Sequence, residues 1–347
     1  RLTLPLPGTT NFLPGEPSQD LLMDQAIKEI SASLLSSCTQ TVTLQFVGGR
    51  QNQPNYETLE NFLRHNITLS GFNGLAEVYL QALESNDILH FATLNGETIV
   101  PDVAYTAAST IKIPIMISVL LRLDEPTPDT VKTLFERMIV YSENPPADKL
   151  MSTYLDEIRG PLIVSEDLAK MGMENTFLGG FFYLGAPLLK LFETPANSRS
   201  DVFIDPDIYN QTVPSEAGQL MAAIYHCSKD GSGLLNETFP GNFTQGECQL
   251  MVDTLSDNQI GLLSEAGLPD DITVAHKHGW VQELDGQFRS MSDVAIIFTP
   301  GGDYVLTIFL YDSIRLDFDQ GNRLVARLSQ TVYNFFNLDN QTYWWID

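Results

Sequence analysis

The chain has 347 residues, 43% hydrophobic and 18% charged, a composition that can bury a large core and excludes a disordered chain. It carries 19 Lys and Arg against 44 Asp and Glu, a formal net charge of −25, so its surface repels phosphate backbones and nucleic-acid binding is not expected. The longest apolar run, Ile113 to Leu121, is too short to cross a bilayer and contains Pro114, so no membrane-spanning segment is expected.

The chain opens on Arg1 rather than Met, and RLTLPLPGTTNFLPGEPSQD is rich in Pro and Gly without an apolar signal core. It reads as a linker left after a leader is removed. Leu21 to Leu35 has apolar residues at helical spacing, with Asp20 as its expected cap. Thr41 to Val47 alternates like a strand that Gly48-Gly49 ends, and Tyr56 to Arg64 reads as a helix. Residues 1–68 are expected to form an N-terminal linker and extension or small lobe, and residues 69–347 the main domain.

In the main domain, Leu75 to Leu83 and Ile88 to Leu94 read as strands joined by a turn at Glu84-Ser85-Asn86-Asp87. Asn95-Gly96 supplies the next turn. A long helical middle is expected from Ser109 to about Leu255. Asp293 to Thr299 and Tyr304 to Tyr311 are strands again, and Leu324 to Phe336 is a closing helix. Strands at both ends with helices between them predict an α+β two-layer fold. Its antiparallel sheet comes from 69–108 and 272–347, with the helical part at 109–271.

Cys227 and Cys248 flank a Gly- and Asn-rich loop and either close it as a disulfide or are two unrelated buried thiols; Cys38 is left over. The cysteines and histidines show no metal-ligand spacing, and neither a metal nor a cofactor is expected.

Three short segments carry chemistry. In Ser109-Thr110-Ile111-Lys112, a helix start would put serine and lysine on one face within mutual reach. The helix terminus favours charge developing on the serine oxygen, and a desolvated lysine can act as a base near neutral pH. Pro114 falls in the first turn or so, where proline is tolerated. Composition alone gives a serine three residues before a lysine roughly once in such a chain, so this pair is not specific by itself. The second segment is Ser142-Glu143-Asn144, where Ser142 could relay a proton and Asn144 hold a substrate carbonyl and the lysine. The third is Lys277-His278-Gly279-Trp280: the lysine offers a charge for a substrate carboxylate, and the glycine lets substrate approach the backbone. Ser256-Asp257-Asn258, Lys170-Met171-Gly172 and Lys229-Asp230-Gly231 repeat parts of these patterns out of order or in turns, and are set aside.

Taken together, S-x-x-K, S-x-N and K-x-G resemble the motif set of class A β-lactamases and penicillin-binding proteins. YSENPPADKL, TVPSEAGQLMAAIY and LSDNQIGLLSEAGLPDDITVAHKHGW are also similar to family segments, and the likeness covers about residues 70–347. It implies a β-lactamase/transpeptidase-like fold with a reduced helical domain, because the Ser109–Ser142 stretch is shorter than usual. It implies that Ser109 is acylated, that Lys112 is its base or proton relay, and that Ser142 relays protons. Asn144, Lys277, His278 and Gly279 would bind substrate, and the backbone N–H groups of Ser109 and Trp280 would form the oxyanion hole.

His278 departs from the usual Thr or Ser, and its charge would vary with pH. Glu193-Thr-Pro-Ala-Asn197 has the Glu and Asn spacing of the family's Ω-loop, so Glu193 would assist release of the acyl group and Asn197 would position its water; the alternative is an ordinary surface carboxylate. The expected partner is a small-molecule substrate, a β-lactam or D-alanyl peptide-like amide, outside the cytoplasm. Three readings follow: a β-lactamase-like hydrolase using Glu193, a D-alanyl peptidase or esterase with slow β-lactam turnover, and a vestigial cell-surface binding domain.

Overall fold

Apolar residues at alternate positions, with β-branched and aromatic side chains among them, build the sheet. In a computed structural model, which describes residues 9–12, 19–21, 23–35, 46–48, 55–283 and 285–342, the first elements are β1 (Gln19–Leu21), α1 (Met23–Leu35) and β2 (Phe46–Gly48). α2 (Tyr56–Leu69) leads into β3 (Leu75–Ala82), β4 (Ile88–Leu94), β5 (Glu97–Ile99) and β6 (Tyr105–Thr106). α3 (Lys112–Leu120), α4 (Asp129–Ile139), α5 (Asn144–Leu150) and α6 (Gly160–Lys170) follow. Then come β7 (Phe177–Leu178), β8 (Asn210–Thr212), α7 (Pro214–Asp230), α8 (Leu234–Thr238) and α9 (Gln245–Ser256). β9 (Thr273–Gln282), β10 (Phe288–Phe298), β11 (Tyr304–Tyr311) and α10 (Phe318–Phe336) close the chain.

The main sheet is antiparallel, in the order β5-β4-β3-β11-β10-β9. β3 from the first part of the chain thus pairs directly with β11 from its end, as the expected α+β architecture requires. The strand period of two sends side chains to two cores. On β9, Ala275 joins the core containing α3, α7 and α9, while Val274 joins the one containing α2 and α10.

The expected helical middle is broken. β8 pairs with both β6 and β7 in a small sheet, and the chain between β7 and β8, 179–209, forms neither helix nor strand. Gly179-Gly180 and the prolines of this stretch favour turns over helix.

The boundary expected after residue 68 does not set α2 apart from the sheet. Asn55 caps α2 by accepting the Thr58 N–H at 2.9 Å. Leu59, Phe62, Leu63 and Ile67 then lie on one face, buried in the same core as Val325, Leu328 and Val332 of α10. Phe12 packs edge-on against Phe62 and Phe335, and Asn334 donates to the Thr10 carbonyl. At least residues 9–12 of the expected linker are therefore docked. Asp20 lies in β1 rather than capping a helix, and α1 begins at Met23. Cys38, Gly49 and residues 41–45 of the expected strand lie outside the described residues.

Cys227 of α7 and Cys248 of α9 form a disulfide, with Cα atoms 5.7 Å apart and both residues fully buried. It closes a loop of 21 residues between two packed helices. Replacing both cysteines with alanine should lower stability by about 3 kcal/mol, measured by denaturant unfolding. An unchanged midpoint would show that helix packing alone holds this layer.

Candidate active site

The nucleophile candidate sits where an edge-sheet segment turns into a buried helix. A tight helical turn, Ala108–Ile111, follows β6 and runs directly into α3, so Ser109 and Lys112 are one turn apart. Every residue from Lys112 to Leu120 is buried, so α3 is a rigid central post. Ala108 has φ +49° and Ser142 has φ +57°, left-handed conformations that cost a non-glycine residue about 1 kcal/mol or more. Both flank the same small space.

Three of the expected motifs converge there. Lys112 Nζ donates to Ser109 Oγ at 3.0 Å and to the Ser142 carbonyl at 2.7 Å. Lys277 Nζ donates to Ser142 Oγ at 3.0 Å and to its neighbour's carbonyl, His278 O, at 3.4 Å. The left-handed turn at Ser142 lets one residue meet both lysines, one through its carbonyl and the other through its hydroxyl. Asn144 begins α5 and is exposed. Gly279 is required where it stands: a Cβ there would lie 2.9 Å from both the Ala107 carbonyl and Ser292 Oγ. Only glycine lets β9 approach the nucleophile turn this closely.

Both lysines are fully buried. Burial pulls Lys112 down to about 8, opposed by the negative charges of Asp148 and then Glu143. Burial and the like charge of Lys112 pull Lys277 down to about 7. Near neutral pH each amine can therefore exchange a proton, which a surface lysine cannot do.

His278 and Trp280 point the other way. Alternation along β9 sends their side chains toward α10 while Lys277 and Gly279 face Ser109 and Ser142. His278 stacks on Trp280 at 4.4 Å, and Trp280 meets Phe318 edge-on. Burial, and then the Lys277 charge, push His278 down to about 3, so it stays neutral near pH 7 instead of changing charge there as its type suggested. Asn258, from the discarded Ser256-Asp257-Asn258, lies behind it and donates to the His276 carbonyl at 2.9 Å. His276 in turn pairs with the buried Asp293 at 2.9 Å.

Glu193 is exposed and is not brought to Ser109 or Lys112 by any hydrogen bond or ion pair. Asn197 folds its own turn: it accepts the Thr194 N–H at 2.8 Å and donates to Gln211 Oε1 at 3.0 Å. The part of the 179–209 loop that does reach Lys112 lies earlier in it. Phe182 places its ring centroid 5.7 Å from Lys112 Nζ, and its backbone N–H donates to Asp148 Oδ1 at 2.8 Å. Phe181, Phe182, Tyr183 and Tyr209 line a cavity of about 350 Å³ beside it. Sequence reasoning passed over this loop. The available signal was Asp148, one helical turn after Asn144, together with the aromatic triplet after Gly179-Gly180.

A buried lysine between two serines, with a second lysine on the far serine, is the arrangement of a serine hydrolase of the β-lactamase type. Residues 123–336 match the beta-lactamase enzyme family, and the chain belongs to it. That match spans Ser142 and Lys277 and begins downstream of Ser109. A β-lactamase of Bacillus licheniformis is 24% identical over 244 residues, 70% of this chain and 75% of that protein. Among solved structures, the TLA-1 extended-spectrum β-lactamase superposes with a TM-score of 0.59 at 17% identity, covering 81% of this chain and 99% of that one. A variant of PBP-A in acyl-enzyme complex with penicillin G superposes at 0.55 and 18% identity, covering 81% and 97%. These likenesses establish the β-lactamase/transpeptidase-like fold.

If burial sets the two amines as described, lysine side-chain NMR should find Lys112 and Lys277 titrating near pH 8 and pH 7. Values near 10 for both would contradict that account.

Proposed function

We propose that Ser109 is the nucleophile of an acyl-enzyme hydrolase that takes a β-lactam or D-alanyl peptide-like amide and releases the acyl group slowly. The observation that carries this reading is Lys112 Nζ, bonded to Ser109 Oγ on one side and to the Ser142 carbonyl on the other. In its neutral form Lys112 takes the Ser109 proton as Oγ bonds to the substrate carbonyl carbon. The carbon–nitrogen bond then breaks. The leaving nitrogen receives the Ser142 hydroxyl proton, which the proton that Lys112 took from Ser109 replaces, while Lys277 holds the Ser142 hydroxyl at 3.0 Å. The backbone N–H groups of Ser109 and Trp280 serve the developing oxyanion. Asn144 and Gly279 border the substrate, and the fraction of Lys277 that is ammonium near neutral pH favours an anionic one.

Slow release is favoured over Glu193-assisted hydrolysis because an aromatic ring, not that carboxylate, lies over Lys112. With Glu193 not bonded to Ser109 or Lys112 to activate water, the Ser109 ester persists. A vestigial binding role is disfavoured by the same contacts, since a site without function has no reason to retain two buried amines. The disulfide supports an extracytoplasmic setting, where such bonds persist.

Incubation with penicillin G should give an intact-mass adduct on the wild type and none on Ser109→Ala. The adduct should outlast the free drug, and Glu193→Gln should change its decay by less than about twofold. Decay slowed tenfold or more in Glu193→Gln would overturn slow release and restore Glu193 as the base. The second-order acylation rate should rise with pH, with a midpoint near 8 as Lys112 loses its proton. A rate that falls across that range would remove Lys112 as the base.

A further inference from the structure

The carboxylate that the structure connects to the buried amine comes from α5. Asp148 lies one turn after Asn144, so both stand on the same side of the helix. Asp148 Oδ1 accepts the Phe182 N–H at 2.8 Å, and the neighbouring Tyr183 N–H favours the charged form of this carboxylate. The 179–209 loop is therefore held at Phe182 by this side chain. The Phe182 ring sits over Lys112 Nζ at 5.7 Å.

We propose that Asp148 is a positioning residue that fastens Phe182 over Lys112 and, through its negative charge, sets the pH at which Lys112 becomes a base. The two effects oppose each other. The ring that Asp148 holds in place keeps water from the amine, which favours the neutral form. The carboxylate's charge favours the ammonium. The other charged or titratable groups whose fields reach Lys112 are Lys277 and, from the far face of β9, His278, together with Glu143 before α5. Glu143 is tied to Arg137 at 2.5 Å, which partly cancels its field. Lys277 opposes the ammonium, and His278 is neutral near pH 7. Asp148 is the largest of the charges that favour it.

The catalytic part of this inference rests on Lys112 being the base, but the electrostatic part does not. Two measurements keep them apart: the pH profile of Ser109 acylation by penicillin G, and the titration of Lys112 itself by side-chain NMR. Asp148→Asn keeps an acceptor for the loop amides and removes the charge. It should move the Lys112 titration, and with it the acid limb of acylation, to lower pH by up to about one unit. Phe182→Ala keeps the charge and admits water, so both should move to higher pH. Asp148→Ala loses the anchor as well, and should lower the acylation rate at its optimum several-fold, a loss that Asp148→Asn escapes. A Lys112 titration unchanged or raised in Asp148→Asn overturns the electrostatic role whether or not the protein acylates. Equal rates for Asp148→Ala and Asp148→Asn, in variants with native far-ultraviolet circular dichroism, overturn the anchoring role. A wild type that never acylates would end the proposed function instead, and the NMR titration would still decide the role of Asp148.

Discussion

Everything in the site depends on keeping an amine buried without a carboxylate bonded to it. A lysine away from water ordinarily pairs with an acid, and pairing would lock it as an ammonium. Here the contacts of Lys112 and Lys277 are a hydroxyl and a carbonyl each. Hydroxyl and carbonyl oxygens satisfy the N–H groups without fixing the charge. α3, buried along its whole length, holds Lys112 in this state, and the left-handed turn at Ser142 supplies oxygens to both amines. The close approach of β9, permitted by Gly279, brings in the second lysine.

The sheet serves that arrangement by separating two kinds of chemistry on one strand. On β9 the face toward α3 carries Lys277 and Gly279. The opposite face carries His276, His278 and Trp280, tied to Asn258, Asp293 and Phe318. His276 is held toward its charged form by Asp293 despite burial, whereas His278 is held neutral by burial and by Lys277. One layer of this strand is thus arranged for proton exchange and the other for a fixed, polar support.

Much of this was legible in the sequence because it depends on local spacing. Serine and lysine three apart must share a helix face, and the alternating stretches at 75–82, 88–94 and 304–311 must be strands. The placements that were not legible are long-range. Nothing local distinguishes the turn at 193–197 from the loop at 179–186, and only the path of the chain between β7 and β8 decides which one reaches Lys112. Nothing local marks Asp148, because its hydrogen-bond partner, Phe182, is more than thirty residues away. The direction of His278 was available in principle, since a strand period of two places it opposite Lys277 once β9 is recognised. The docking of Phe12 between Phe62 and Phe335 joins residues too far apart for any pattern to report.

The pairing of β3 with β11 also bears on how the molecule is made. Leu75 meets Tyr311, and Ala82 meets Tyr304, across more than two hundred residues. During synthesis the helices around α3 emerge while β3 and β4 still lack their central neighbour, leaving an open apolar edge. The sheet closes only when the last strands leave the ribosome. Until then the nucleophile turn lacks β9, and with it Lys277 and the wall at Gly279. The candidate site is therefore among the last parts of the protein to form, so a nascent chain stalled before β9 would carry Ser109 and Lys112 without Lys277 beside them.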